Sequence, residues 1–134
     1  MEGMNTRPPH AVVIIGSGFG GLGMAYALRQ AGISDFVLLE KAHDLGGTWR
    51  ENTYPGAACD IPSHLYSLSF APKADWEKIW ATGPQIQQYH RDVVEQLGLT
   101  DRIRCNTEVL AAEFDDASAT WALTLNTGET MTAD

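Results

Sequence analysis

Short apolar runs and helical periodicity alternate at the start of the sequence. Ala11 to Ile15 is a β-branched apolar run that ends in glycine, which is typical of a strand buried on both faces of a parallel sheet. From Phe19 to Ala31 apolar residues recur at helical spacing, and Gly32 follows where helices commonly end. Phe36 to Glu40 is again apolar and β-prone. This order predicts a right-handed βαβ unit.

The middle of the chain has weaker periodicity. Lys41 to Pro62 is rich in Gly, Pro, Asn and Asp, which predicts a long loop of the kind that is usually functional. Asp75 to Trp80 is predicted as a short helix whose two tryptophans and isoleucine pack in the core rather than contact a substrate. Pro84 to Leu97 is predicted as a second helix that ends at Gly98.

The last third of the chain is strand-like. Glu108 to Phe114, Thr120 to Leu125 and the residues from Thr130 onward are separated by turn-forming residues, which predicts a small antiparallel meander. Together these patterns predict an α/β fold, a Rossmann-like domain whose βαβ start and parallel sheet are followed by an antiparallel β-meander. We expect residues 1–134 to form part of one such domain, which would be incomplete.

Charge and composition narrow the possible functions. The formal net charge of -8 disfavours nucleic acid and anionic membranes as partners. Met1 to His10 lacks an apolar signal-peptide core, and no run of about 18 apolar residues occurs, so we expect a cytoplasmic protein without a membrane span. Two cysteines and four scattered histidines predict reduced thiols and no metal site.

A glycine-rich loop separates the first predicted strand from the first predicted helix. Residues 16–21 read Gly-Ser-Gly-Phe-Gly-Gly and fit the Gly-x-Gly-x-x-Gly pattern. In this context Gly16 permits a tight turn, Gly18 lets a pyrophosphate approach the backbone, and Gly21 lets helix and strand pack closely. The start of the helix then offers unpaired N–H groups to the phosphates.

An acidic residue strengthens the prediction of a dinucleotide site. Glu40 ends the second predicted strand, at the distance from Gly21 where a carboxylate accepts hydrogen bonds from a ribose diol. A carboxylate there repels a 2′-phosphate, so NADP is disfavoured at this site, whereas FAD and NAD are allowed. The alternative is a glycine-rich turn with an incidental surface glutamate.

The residues after Glu40 form a distinctive pattern. Residues 45–60, LGGTWRENTYPGAACD, contain Gly-Gly-x-Trp, Asn-x-Tyr-Pro-Gly and Cys-Asp in this order. This run resembles the signature of the class B flavoprotein monooxygenases, the group of flavin-containing and Baeyer–Villiger monooxygenases. The pattern continues in Ser63, Tyr66, Ser69 and Phe70. The resemblance spans essentially the whole chain but only the beginning of such a protein, so it implies the FAD-binding part of a longer enzyme.

The resemblance implies which residues contact FAD. Gly47, Thr48 and Trp49 would lie along the flavin and its diphosphate, and the loop that carries Asp60 would line the isoalloxazine pocket. Cys59-Asp60 looks more like the Baeyer–Villiger branch, in which this acid orients an arginine beside the flavin; Asp60 is therefore the predicted catalytic residue. The predicted cofactor-binding residues are Gly16, Ser17, Gly18, Phe19, Gly21, Glu40, Lys41, Gly47, Thr48, Trp49, Asp60, Ile61, Tyr66 and Val109.

Several of these assignments have structural alternatives. A buried Asp60 would need a cation or hydrogen-bond donors, but it could instead cap a turn or the strand near Ile61. Tyr66 could contact the cofactor or fill the core. Lys41 could reach the adenosine end, as basic residues do in the family, or be solvated. Val109 resembles the position whose backbone faces the adenine.

The resemblance also implies a reaction. Such enzymes use NADPH to reduce FAD and transfer one oxygen atom from O2 to a ketone or a soft heteroatom. The sequence has neither a second glycine fingerprint for NADPH nor a Phe-x-Gly-x-x-x-His motif, so NADPH would be bound by a region absent from this chain, and the remaining chain or a partner would complete the fold. Two alternatives stay open: a non-catalytic FAD-binding module, and a fragment of an NAD-dependent dehydrogenase. The run from Trp49 to Asp60 argues against the dehydrogenase, because NAD binding does not require it.

Overall fold

The first elements of the structure form a βαβ unit. The computed structural model describes residues 10–134. Strand β1 (Val12–Ile15) is followed by helix α1 (Phe19–Gln30) and strand β2 (Phe36–Leu39). The two strands pair in parallel over their full length, from Val12 opposite Phe36 to Ile15 opposite Leu39. The predicted order of elements and the parallel sheet are confirmed.

A third parallel strand extends this sheet. Strand β3 (Ile103–Arg104) pairs with β2, which gives the strand order β1-β2-β3. A strand of two residues is too short to show periodicity, so the sequence did not predict it. Beyond the strand, the N–H of Thr107 donates to the carbonyl oxygen of Glu40 at 2.9 Å. This pairing fixes the backbone where the predicted acidic residue leaves the sheet.

The segment predicted as one long loop, Lys41 to Pro62, contains a single helical turn. Helix α2 (Thr48–Glu51) begins directly after Gly47, whose φ is +51°. The N–H groups of Trp49 and Arg50 donate to the carbonyl oxygens of Gly46 and Gly47, each at 3.0 Å. One turn is too short to produce a periodic pattern in a glycine-rich sequence, which is why it was not predicted.

The helix predicted over Asp75 to Trp80 is wrong, because this segment forms bends without helical hydrogen bonding. Its carbonyl oxygens instead accept hydrogen bonds from the loop around Ser63. The hydroxyl of Ser63 donates to the carbonyl oxygens of Lys78 (2.8 Å) and Ile79 (2.9 Å), and its N–H donates to Ile79 at 2.7 Å. Tertiary hydrogen bonds have therefore replaced the local ones that a helix would need.

The three large side chains of this segment do not share one packing face. Trp76 is half-buried and packs against the core, as predicted. Ile79 and Trp80 are 64% and 55% exposed, so the prediction that they pack in the core is wrong. Their apparent helical spacing does not reflect a helix.

The next helix was predicted to within one residue at each end. Helix α3 spans Gly83–Gln96 and has Thr82 at its N-cap position. The side-chain oxygen of Gln85 accepts a hydrogen bond from the N–H of Thr82 at 2.9 Å, which satisfies a donor at the start of the helix. Its buried face carries the residues Ile86, Tyr89, His90, Val93 and Val94.

The predicted antiparallel meander is present. It consists of strands β4 (Val109–Asp115), β5 (Thr120–Leu125) and β6 (Thr130–Ala133), paired in this order. Its buried side packs against the parallel sheet, and the buried side chains of this contact are Val37, Leu39, Leu123, Leu125, Met131 and Ala133. Helix α1 contributes Leu22 and Ala25 to a separate core cluster with Ile14 and Leu38. The parallel sheet therefore lies between helices and meander, as in a layered α/β domain.

Two expected absences, of a membrane span and of a metal site, concern the described residues. In the described part of the chain, no helix is both long and apolar enough to cross a membrane. Residues 10–134 also contain no group of three or more His, Cys, Asp or Glu side chains that could hold a metal ion. The prediction that Met1 to His10 lacks a signal-peptide core falls, except for His10, outside the described residues.

Candidate functional site

The glycine loop leaves the first turn of α1 open to a ligand. Gly16 has a φ of +101°, which glycine adopts without strain, and its N–H donates to the carbonyl oxygen of Leu39 at 2.8 Å. Gly18 precedes the helix in an extended conformation; no side chain of the described residues caps this end, and its first turn carries no acidic residue. The free N–H groups and the positive end of the helix dipole can therefore bind an anion.

Two glycines bring the loop before α2 close to the glycine loop. A Cβ atom at Gly47 would lie 3.4 Å from the Cα atom of Gly18. On Gly18 itself, a Cβ atom would meet no atom of the described residues within 4 Å, so the space beside it is open. This cradle fits a diphosphate, which must approach the backbone where a side chain would intervene.

Both glycines line a cavity of about 390 Å³ at the carboxyl ends of β1 and β2. This position is where open α/β sheets bind ligands, and the volume lies in the usual range of about 300–1,000 Å³ for ligand pockets. The cavity is lined by Ile15, Gly16, Ser17, Gly18, Leu39, Glu40, Lys41, Gly47, Glu51, Thr107, Glu108 and Val109.

Glu40 is held rigidly at the edge of this cavity. Its side chain is only 5% exposed, and one carboxylate oxygen accepts hydrogen bonds from the hydroxyl (2.5 Å) and the N–H (3.0 Å) of Ser17. The other oxygen accepts one from the N–H of Ala42 at 2.9 Å. Burial alone would raise the pKa of Glu40, but these hydrogen bonds outweigh it and lower the pKa below its usual value. The site therefore presents a fixed, ionised acceptor at neutral pH.

The charges around the cavity are mostly negative. Among the described lining residues, Lys41 is the single cation, whereas Glu40, Glu51 and Glu108 are acidic. The guanidinium of Arg50 pairs with Glu51 at 2.9 Å and so offsets one of these charges. An additional phosphate on a bound ribose would meet net repulsion here, in agreement with the expected discrimination against a 2′-phosphate.

An aromatic cluster lies beside the cavity. The indole Nε1 of Trp49 donates to the hydroxyl of Tyr66 at 3.1 Å, and the ring of Tyr66 meets that of Phe19 edge-to-face at 5.1 Å between centroids. All three side chains are partly buried and pack against a small core of Cys59, Ala81 and Ile86. Tyr66 therefore both packs in the core and accepts a hydrogen bond. The side chain of Phe19 points into the core and does not line the cavity.

Asp60 lies outside this cavity. Its side chain is exposed within residues 10–134, and no cation of these residues pairs with it. The neighbouring Ile61 is 43% exposed. Because the charge of Asp60 is solvated, it needs no partner within this chain.

A second, aromatic cavity of about 510 Å³ opens on the other side of α2. Trp49, Tyr54 and Trp80 line it together with Lys78 and Gln87. The sequence did not predict Trp80 here, since its spacing was interpreted as a helical packing face.

The structure thus brings part of the predicted site into one cavity and places the rest elsewhere. Around the cavity lie Gly16, Ser17, Gly18, Glu40, Lys41, Gly47 and Val109. Not among its lining residues are Phe19, Gly21, Thr48, Trp49, Asp60, Ile61 and Tyr66. Residues that the sequence missed are Ile15, Leu39, Glu51, Thr107 and Glu108. Thr107 and Glu108 could have been found only by recognising β3, which carries them to the end of β2.

The fold and the cavity define a Rossmann-like dinucleotide-binding domain, and comparisons with known proteins agree. The family described as NAD(P)-binding Rossmann-like domain matches residues 14–82. A Baeyer-Villiger monooxygenase of Streptomyces coelicolor is 48% identical over 92% of this chain and 24% of its own length. One of Pseudomonas aeruginosa is 42% identical over 98% of this chain and 26% of its own.

A solved structure supports the same assignment. The structure of OTEMO in complex with FAD and NADP superposes with a TM-score of 0.86 at 30% identity, over 94% of this chain and 24% of that one. The chain belongs to the NAD(P)-binding Rossmann-like domain family, and it is similar to the N-terminal part of larger monooxygenases. It spans about a quarter of the length of the relatives that it matches.

Proposed function

We propose that this chain forms part of the FAD-binding domain of an NADPH-dependent flavoprotein monooxygenase that transfers one oxygen atom from O2 to a ketone, as in Baeyer–Villiger oxidation, or to a soft heteroatom. The observation that supports this most directly is the cavity in which the glycine loop, Glu40, Gly47 and Val109 meet. Relatives at 42–48% identity are named Baeyer-Villiger monooxygenases.

In this proposal the cavity holds the adenosine diphosphate half of FAD. The backbone N–H groups that follow Gly18, at the start of α1, bind the diphosphate, and Gly21 allows the loop to pack against the helix. Glu40 accepts hydrogen bonds from the ribose hydroxyls, and the backbone of Val109 faces the adenine. Lys41 screens the negative charge of the neighbouring carboxylates. The open helix end supports the proposed diphosphate contact, and the fixed carboxylate supports the proposed ribose contact.

The flavin ring would extend from the cavity along α2. We propose that Thr48 and Trp49 border it, that Phe19 and Tyr66 support Trp49 from the core, and that Ile61 closes the end near Asp60. Bound FAD supplies the redox chemistry with NADPH and O2. Asp60 is the proposed catalytic residue: in the complete oxygenase it would pair with a cation from the remaining chain or a partner, which would also bind NADPH.

We also propose that the protein resides in the cytoplasm. Both cysteines, Cys59 and Cys105, are free thiols. Free thiols fit a reducing compartment such as the cytoplasm, where NADPH is also available.

Flavin uptake tests the proposal. We expect FAD added to the purified chain to show the shifted visible spectrum of a bound flavin, and Gly18→Val to abolish it by filling the diphosphate cradle. Gly20→Val is the matched control, since a Cβ atom at Gly20 also meets no described atom within 4 Å but Gly20 does not line the cavity. Uptake of NAD without uptake of flavin would contradict the proposal.

A turnover assay separates the enzyme from a simple binding module. Asp60 is exposed and unpaired within residues 10–134. We therefore expect this chain to bind FAD without oxidising NADPH when a ketone is added. We expect NADPH oxidation only when the sequence is extended to the length of its relatives. An extended protein that binds FAD and lacks turnover would support the non-catalytic module instead.

A further inference from the structure

Ser17 is the second residue of the glycine loop, and its side chain points away from solvent. It is 0% exposed. Its hydroxyl donates to a carboxylate oxygen of Glu40 at 2.5 Å, and its own N–H donates to the same oxygen at 3.0 Å. Any residue except proline would keep the N–H, so the hydroxyl is the contribution that depends on serine.

The three hydrogen-bond donors to Glu40 come from the segments that follow the two strands of the βαβ unit. Ser17 follows β1, whereas the N–H of Ala42, which donates to the second carboxylate oxygen at 2.9 Å, follows β2. Because the backbone donors fix the two oxygens and the hydroxyl adds a side-chain bond to one of them, the carboxylate cannot rotate without losing hydrogen bonds. A carboxylate that is 5% exposed requires such donors, since burying an unpaired charge is costly.

We propose that Ser17 is a positioning residue that fixes the Glu40 carboxylate, in its ionised form, as the acceptor for the hydroxyls of an adenosine ribose. This inference rests on the proposed function, and it assigns to Ser17 a role through Glu40 rather than direct contact with the cofactor. The Ser17 hydroxyl also connects the glycine loop, which would bind the phosphates, to Glu40, which would bind the ribose. The loop and Glu40 would therefore contact one ligand as a rigid unit.

Other titratable groups around Glu40 do not account for the fixed position of its carboxylate. The titratable side chains that line the cavity with Glu40 or interact with its charge are Lys41, Arg50, Glu51, Cys105 and Glu108. Arg50 lowers the pKa of Glu40 through its charge, as a smaller cause than the hydrogen bonds. Burial and then the Glu40 carboxylate raise the pKa of the Cys105 thiol, so this thiol stays neutral where Glu40 titrates. None of the five donates a hydrogen bond to Glu40 among the described residues.

The test compares two nucleotides that differ only in the ribose hydroxyls. ADP and 2′,3′-dideoxy-ADP are titrated calorimetrically into the chain at neutral pH, with and without Ser17→Ala. We expect Ser17→Ala to weaken ADP binding by roughly tenfold, the usual effect of one hydrogen bond to a charged group, and to leave dideoxy-ADP binding unchanged. Ser67→Ala, which removes a partly buried hydroxyl donating to the carbonyl oxygen of Ser63 at 2.8 Å, should change neither.

A second measurement does not depend on the nucleotide. The titration of the Glu40 carboxyl carbon by NMR should give a pKa below 4.5 in the unaltered chain and a higher pKa in Ser17→Ala. The pH below which ADP binding declines should rise with it, because the protonated acid no longer accepts two hydrogen bonds.

The possible failures are distinguishable. Equal losses for both nucleotides, no loss for either, or an unaltered chain whose Glu40 titrates at or above 4.5 would each overturn the role of Ser17 while leaving FAD binding intact. An unaltered chain that binds neither ADP nor FAD would overturn the proposed function itself.

Discussion

At the scale of single residues, the phosphate loop depends on the absence of side chains. A Cβ atom at Gly21 would lie 2.0 Å from the carbonyl oxygen of Gly16, well inside van der Waals contact. That oxygen belongs to the backbone of the loop, so no side chain can rotate to relieve the clash. Helix α1 can pack against the end of β1 only because residue 21 has no side chain.

We predict that Gly21→Ala destabilises the chain and abolishes FAD uptake. The methyl group forces the loop away from the helix, at a cost of roughly 1–3 kcal/mol, as for other overpacked sites. Gly23→Ala is the matched control in the same helix, because a Cβ atom there meets no described atom within 4 Å, and alanine should stabilise the helix by up to about 1 kcal/mol. Urea unfolding and flavin titration measure both effects. Equal stabilities for the two variants would contradict the packing role.

At the scale of secondary structure, the sequence predicted elements that are long enough to show a period. Helices α1 and α3 and the meander were predicted nearly to their ends because each spans enough residues to show a helical period or a strand-like run bounded by turn residues. Helix α2 and strand β3 have four and two residues, so no period could identify them. The segment from Asp75 to Trp80 has helical spacing without a helix, because its carbonyl groups bond to the Ser63 loop.

The same reasoning explains how much of the site could be predicted. The glycine loop and Glu40 follow from a fixed spacing within one βαβ unit, so the sequence was sufficient. Gly47 and Val109 were identified only through the family resemblance, since distant loops bring them to the cavity. Glu108 was missed because its position depends on β3. The exposure of Asp60 within residues 10–134 could not be predicted, because burial is a property of the folded surface rather than of a motif.

The contact between α3 and α1 predicts a pH dependence of stability. His90 of α3 is 0% exposed, and its ring lies 4.3 Å from that of Phe19 at the start of α1. Its Nδ1 bonds to the carbonyl oxygen of Ile86 at 2.9 Å, whereas Nε2 has no partner in the described residues. Burial lowers the pKa of His90 from its ordinary 6.5, although the bond to Ile86 acts in the opposite direction.

The sign of the effect follows from proton linkage. The unfolded chain keeps the ordinary pKa of 6.5, so below this pH it binds a proton that the folded state excludes. The contribution of neutral His90 is therefore complete above pH 6.5 and decreases at lower pH, by at most about 1.4 kcal/mol per pH unit for one proton. We expect urea unfolding of His90→Leu to lack this decrease, whereas the control His64→Leu, at an exposed position, retains it. An unchanged decrease in His90→Leu would assign the effect to other groups.

At the scale of the whole molecule, the meander contributes to the site as well as to the core. Val109 at the start of β4 lines the cavity and pairs with Leu125 of β5. Leu125 belongs to the same buried cluster as Leu39, which also lines the cavity at the end of the parallel sheet. The wall proposed to face the adenine is thus held in place by the contact between the two sheets, and stability and binding should be coupled through it.

We predict that Leu125→Ala weakens both folding and FAD binding. Leu125 is 1% exposed, and truncation of such a leucine typically costs about 2–5 kcal/mol because a cavity remains in the core. Loss of packing in the cluster that contains Leu39 would let β5 and its partner Val109 move away from the nucleotide. Leu110→Ala is the matched control one residue beyond Val109, since Leu110 is 60% exposed and its truncation should change neither property appreciably. Thermal unfolding with and without FAD measures both. If Leu125→Ala lowered stability but the folded fraction bound FAD with unchanged affinity, the meander would support the core without shaping the adenine wall.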